Sequence, residues 1–283
     1  MTAITAGLPG GRRGAGISAI SVGLRDSSVV SWRNLTNIRR QPDLLLGATL
    51  QPIMFVLLFA FVFGGSFGPG YKEFLMGGIF AQTVAFNSAY TTIGFAADLQ
   101  KGIIDRFRSL PMSRVAVLLG RTSSDLLVSA LGLLIMSLCG LIVGWRIRGS
   151  LGDAILGYLV LLLFSFAMSW VGAIIGMISG SVEVAQSAGF IWMFPVTFIS
   201  SAFVSQSSLP GPLKAIADWN PVTAVADAAR DLFHNNGAAT GVLTRGTGWP
   251  ATHATLYAII WCIAILAIFM PIAVALYRKV ASK

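Results

Sequence analysis

The sequence predicts an all-α integral membrane protein with six transmembrane helices. An N-terminal amphipathic helix lies on the membrane surface, a short cytoplasmic helix follows the second span, and a re-entrant helical hairpin precedes the last one. Three observations predict this architecture. Hydrophobic residues make up 55% of the 283 and charged residues only 11%, against roughly 25% charged in a soluble domain. Six windows, 44–63, 74–97, 118–143, 154–179, 184–203 and 256–277, each carry enough apolar residues to cross a bilayer, which takes about 20. The basic residues flank these windows instead of clustering on one module, so the net charge of +9 reads as membrane topology and not as nucleic-acid binding.

Residues 1–30, with Arg12, Arg13 and many glycines, form a cytoplasmic tail with no apolar core ahead of a small-residue cleavage site. Residues 31–283 form a single transmembrane domain. Over 31–40, Trp32 and Leu35 share one side of a helix while Arg33, Arg39 and Arg40 lie elsewhere, and Pro42 follows. That pattern predicts an interfacial helix with its arginines at the lipid headgroups. Between the second and third windows, 98–121 is charged and too short to be a domain. Ile103, Phe107 and Leu110 share one helix side, Lys101, Asp105, Arg106 and Arg108 cover the rest, and Pro111 ends the helix. Ser113 is placed to cap the next helix.

Six crossings put both termini on one side. Fourteen Lys and Arg residues fall ahead of the first window, in 98–121 and after Tyr277, against six in the opposite connections. The richer set is cytoplasmic, in an inner-membrane protein with both termini inside. Arg146 and Arg148 dissent locally, in a short loop expected outside. The longest connection, 204–255, contains Asn220 and Pro221, a cap followed by proline at the first helical position. Val222, Val225, Ala226, Ala229, Leu232 and Phe233 recur at helical spacing, and Asn235, Asn236 and Gly237 supply the stop. With a shorter helix over 213–219, this predicts a hairpin that does not cross and whose backbone must be buried in protein or line a water-filled cavity.

Catalytic patterns are missing. No Gly-Lys pair exists, so no phosphate loop does either, and the two histidines, His234 and His253, are not in a metal-binding pattern. Gly64, Ser66 and Gly68 match Gly-x-Ser-x-Gly, yet an apolar helix precedes them where a nucleophile elbow needs a strand. Cys139 and Cys262 both sit in apolar runs, without metal spacing. Thr83, Asn87 and Thr91 make a polar stripe on the second span with Gln82 beside it, and Phe190, Phe194 and Phe198 make an aromatic stripe on the fifth, where Pro195 can kink the helix. Each stripe is either packing or the lining of a substrate pathway. Gly172, Gly176 and Gly180, like Gly140 and Gly144, permit close helix approach within one chain or between two. Asp125, four residues after Arg121, reads as its ion-pair partner. No span has the spaced acids and bases of a proton relay, so the energy must come from elsewhere.

From about Ser31 onward the chain resembles the permease subunits of ABC type-2 exporters, especially those of daunorubicin and doxorubicin resistance. The resemblance is carried by DLQKGIIDRFRSLPMSR, with Gly102, Leu110 and Pro111 in the family's places, and by WNPVTAVADAAR, residues 219–230. It implies that Asp98, Lys101, Gly102, Asp105, Arg106, Phe107, Arg108, Leu110 and Pro111 belong to a coupling helix that docks on a separate ATP-binding subunit. The hairpin, with Trp219, Asn220, Pro221, Asp227 and Arg230, would close the exit as an outer gate. Two ATP-binding subunits would carry ATP and Mg, this chain carrying no cofactor, and a second permease chain, more readily an identical one, would complete the transporter in membrane lipid. Many relatives carry glutamate where this chain has Lys101, so the contact falls to Asp98 or Asp105. The implied function is ATP-driven export of an amphipathic drug, antibiotic, lipid or glycolipid, by a subunit that is not itself an enzyme. The alternatives are an ion-coupled carrier or channel, which would transport without an ATPase, and a non-transport scaffold.

Overall fold

The computed structural model describes residues 42–63, 70–102, 114–203, 206, 209–235 and 248–280. The tail, the surface helix with Trp32, Arg33, Arg39 and Arg40, the Gly64, Ser66 and Gly68 turn, and the stretch holding Asp105, Arg106, Phe107, Arg108, Leu110 and Pro111 lie outside the described residues. Among those described, every regular element is helical. The α-helices are α1 Pro42–Leu57, continued by a π-helical Leu58–Phe63, α2 Tyr71–Gln100, α3 Arg114–Val143, α4 Leu151–Ile178, α5 Val182–Ile191, α6 Met193–Phe198, α7 Gly211–Asp218, α8 Pro221–Leu232, α9 Trp249–Thr252 and α10 Ala254–Val280.

By length and composition, α3 from Leu118, α4 and α10 are apolar enough to cross a membrane. Their outward faces are greasy: Leu127, Leu131, Leu134 and Leu138 of α3 recur at helical spacing and are all exposed, a stripe suited to lipid. The 30-residue α2 is equally long but more polar, and it is the centre of the bundle. Every residue from Phe74 to Ala89 is buried, with α4, α8, α5 and α3 around it.

Small residues make that centre possible. Cβ atoms at Gly172 and Gly176 of α4 would overlap the carbonyls of Ser88 and Thr92 of α2, and Thr92 Oγ1 donates to Gly172 O at 3.0 Å. These two glycines of the repeated Gly-x-x-x-Gly therefore act within one chain, whereas a Cβ at Gly180 meets open space. Gly140 faces Met76, while Gly144 has φ +104° and turns the chain after α3. Gly172→Ala is expected to force α4 off α2 at about 1–3 kcal/mol, read as a lower unfolding temperature of the purified protein, with Gly180→Ala unchanged.

The fifth window departs from the expected single helix over 184–203. It divides at Trp192 into α5 and α6 and stops at Phe198. Pro195 explains the division, because it has no N–H for the carbonyl four residues back and its ring crowds that carbonyl. The open carbonyls at the end of α6 find a partner in the hairpin: Asn220 Nδ2 donates to Val196 O at 2.6 Å and to Ile199 O at 2.8 Å. Meanwhile Asn220 Oδ1 accepts from Val222 N at 2.8 Å and starts α8 as the sequence predicts.

Helix α8 ends slightly earlier than expected. His234 takes the left-handed position, φ +55°, its N–H donates to Asp231 O, and Asn235 N donates to Arg230 O at 2.8 Å. This is a Schellman ending with histidine in the place usually held by glycine; Asn236 and Gly237 lie outside the described residues. At 12 residues, α8 is about 18 Å long and too short to cross. It is nonetheless buried from Val222 to Arg230, among α2, α4 and α10. Helix α7 carries exposed Leu213 and Ile216 and leads to exposed Trp219.

The dissenting arginines have local employment. Arg148 donates to Glu73 Oε1 through Nε at 3.0 Å and a terminal nitrogen at 2.6 Å. Arg146 donates to Leu141 O and Trp145 O at 2.6 and 2.8 Å, tying the loop to the last turn of α3.

Candidate functional site: a cleft, a polar seam and a buried arginine

A shallow cleft opens between α1 and α2, its empty space of about 280 Å³ including open solvent, lined by Gln51, Pro52, Phe55, Gln82, Thr83, Phe86, Asn87 and Tyr90. Helical spacing builds its wall from two adjacent columns of α2, Gln82, Phe86 and Tyr90 in one and Thr83 and Asn87 in the other. The lining offers ring faces, amides and hydroxyls and, among the described residues, no charged side chain.

Of the residues expected along a substrate pathway, Gln82, Thr83 and Asn87 meet here. Thr91 does not, since its hydroxyl is turned to α3. Phe190, Phe194 and Phe198 lie behind the cleft: Phe86 packs on Phe190 and Phe194 at centroid distances of 6.0 and 5.4 Å. From there rings continue through Phe198 to Phe203 at 5.4 Å, then to Phe59 at 4.6 Å and Phe55 at 5.8 Å. Phe86 and Tyr90 escaped the sequence reading although they continue from Gln82 in steps of four. Gln51 and Phe55 had no such signal, because only the approach of α1 brings them in.

At the far end of α2, Asp98 accepts from Arg121 at 3.0 Å, and Arg121 Nε lies 3.6 Å from Asp125 Oδ1. The expected Arg121–Asp125 pair exists, but the shorter contact crosses to α2. Gly94 makes room for it, because a Cβ there would overlap the guanidinium. Asp98 is therefore engaged inside the bundle. Exposed Lys101 follows, and Gly102, φ +62° with its N–H on Leu99 O at 3.0 Å, turns the chain out of α2. That left-handed conformation explains the glycine.

Asp125 Oδ2 accepts from Thr91 at 2.8 Å. One turn further, Asn87 Nδ2 donates to Ser129 Oγ at 2.8 Å, Ser129 shares a 2.6 Å hydrogen bond with Ser165 of α4, and it donates to Asp125 O at 2.9 Å. Thr91 and Ser129 are wholly buried.

At the hairpin, Arg230 is 1% exposed and every guanidinium nitrogen is used. Nε donates to Phe74 O at 2.8 Å. One terminal nitrogen donates to Asp227 Oδ1 at 2.7 Å and Ser201 Oγ at 3.0 Å, the other to Ser201 O at 2.7 Å and Ala202 O at 3.2 Å. The guanidinium also lies 3.6 Å from the Phe74 ring centroid. Gly77 admits its stem, and Gly78 lets Ala202 O approach. Of the five residues expected at an outer gate, Asp227 and Arg230 thus form one knot tying α8 to α2 and the turn after α6. Asn220 and Pro221 start α8, while Trp219 points outward, set edge-on to Tyr257 at a centroid distance of 6.0 Å.

Comparison with known proteins matches residues 26–234 to a profile described as ABC-2 type transporter. The chain is 31% identical over 277 residues to the daunorubicin resistance ABC transporter permease protein DrrB1 of Streptomyces coeruleorubidus, covering 96% of this chain and 91% of that one. It is 23% identical over 205 residues to the probable doxorubicin resistance ABC transporter permease protein DrrC of Mycobacterium tuberculosis, covering 70% and 73%. It is 20% identical over 220 residues to the putative transport permease ycf38 of Cyanophora paradoxa, covering 75% and 76%.

Proposed function

Because the chain belongs to the ABC-2 type transporter family and is a multi-pass membrane protein, we propose that it is the permease subunit of an ATP-driven exporter of amphipathic aromatic compounds. In this reading the chain crosses the cytoplasmic membrane six times with both termini inside. The surface helix over 31–40 and the segment following Asp98 face a separate ATP-binding subunit, present in two copies, which binds ATP and Mg. A second permease chain completes the assembly. Closure of the ATP-binding pair pushes the docking segments, tilts the helices around α2 and frees the α7–α8 hairpin at the exit.

The observation that supports the substrate class is the uncharged cleft, with aromatic faces and amide edges side by side. Daunorubicin, named in the similar permease, is the probe to use. Phe55→Ala and Gln82→Ala are each expected to weaken its binding to the purified permease by about three- to tenfold, the scale of one lost ring contact or hydrogen bond. Leu131→Ala, on the exposed face of α3, should not. Unchanged affinity in both cleft variants would contradict the assignment.

A further inference from the structure

We propose that the seam from Asp98 to Asn87 is a coupling element that ties the cleft to the ends of the two helices bracketing the docking segment. The inference rests on that reading of the cleft and segment, and it assigns positioning roles to Arg121, Asp125, Thr91 and Ser129.

The links are contiguous. Asp98 accepts a hydrogen bond from Arg121 at 3.0 Å, and Arg121 Nε faces Asp125 across a 3.6 Å ion pair. Asp125 gives its other oxygen to Thr91, whose hydroxyl also lies 3.4 Å from Asn87 O, and Asn87, which lines the cleft, donates to Ser129. Ser129 returns to the backbone of Asp125 and reaches α4 through Ser165. Since Thr91 and Ser129 are wholly buried, water cannot replace a broken link, and each donor follows its acceptor or stays unsatisfied. Simple adhesion is an insufficient account. The close helix packing is supplied by Gly172 and Gly176 against α2, on the side facing α4, whereas the seam joins α2 to α3 and spends an arginine and two carboxylates. Gly94, kept free of a side chain where Arg121 crosses, serves this crossing alone.

When Asp98 loses its charge, Arg121 falls wholly to Asp125, which is then drawn from Thr91. The disturbance passes along the seam to the cleft. The test needs neither ATP nor drug. With Cys139 and Cys262 changed to alanine, Gln51→Cys places a thiol on the cleft wall opposite α2, and its rate of reaction with N-ethylmaleimide is measured. Asp98→Asn is expected to change that rate by about fivefold. In a Thr91→Val background the same substitution should change it by less than about 1.5-fold, and Thr91→Ser should restore the response. The rescue separates a lost hydroxyl link from general loosening. A response of equal size in the Thr91→Val background, or none with Thr91 intact, overturns the proposal. If the cycle behaves as expected but the assembled protein moves no drug on ATP, the exporter reading fails and the seam stands.

Discussion

Arg230→Leu is expected to leave little folded protein. The substitution removes the cationic partner of the Asp227 carboxylate, 3% exposed, and the donors to three backbone carbonyls, Phe74, Ser201 and Ala202. Breaking a buried ion pair from one side costs about 3–5 kcal/mol, against a total stability of about 5–15 kcal/mol for a typical domain. Thermal unfolding and size-exclusion profiles of the purified protein would show it. Arg230→Lys should recover only part of the loss, because an ammonium cannot serve Phe74 O, Asp227 and Ala202 O with one planar fork. Removing both charges, Arg230→Leu with Asp227→Leu, should recover more than Arg230→Leu alone, since no unpaired charge remains buried. A stable Arg230→Leu protein would mean that the hairpin is held by apolar contacts only.

The second large effect is expected at the docking segment. Arg106→Glu with Arg108→Glu reverses two charges of the segment that the sequence predicts as an amphipathic docking helix. Like charges brought together across an interface cost several kcal/mol, about 100-fold or more in affinity. Co-purification of the ATP-binding subunit and ATP-linked transport should both be lost, while the permease itself still folds. Asp98 is already paired with Arg121 inside the bundle. Retained co-purification and transport would remove the segment from that role.

Much of the architecture was legible because long apolar runs have few alternatives. Helices α3, α4 and α10 follow directly from their windows, and Asn220 with Pro221 announces the start of α8. Residues whose meaning depends on a neighbour were less legible. Pro195 signalled a kink, but the division into α5 and α6 also depends on Asn220, 24 residues past Val196, covering the exposed carbonyls. Asp227 and Arg230 lie off the apolar face that predicted α8 and would ordinarily meet water; instead α8 is buried on both faces. Thr83, Asn87 and Thr91 look like one stripe at a spacing of four, yet the first two line the cleft while Thr91 serves Asp125. Phe55 and Gln51 join the site only through tertiary packing of α1, which no local pattern encodes. The glycines allowed two partners in the sequence, and only the overlap with Ser88 and Thr92 selects the one within the chain.

The most direct test of the account is transport by the assembled protein. The permease is reconstituted in proteoliposomes with its ATP-binding subunit, and daunorubicin flux is followed with and without Mg-ATP, using wild-type protein and the Arg106→Glu, Arg108→Glu double variant. The account predicts flux that requires both ATP and the partner subunit in the wild type and falls to the ATP-free background in the variant. Flux by the permease alone, indifferent to ATP and to the partner, would contradict it.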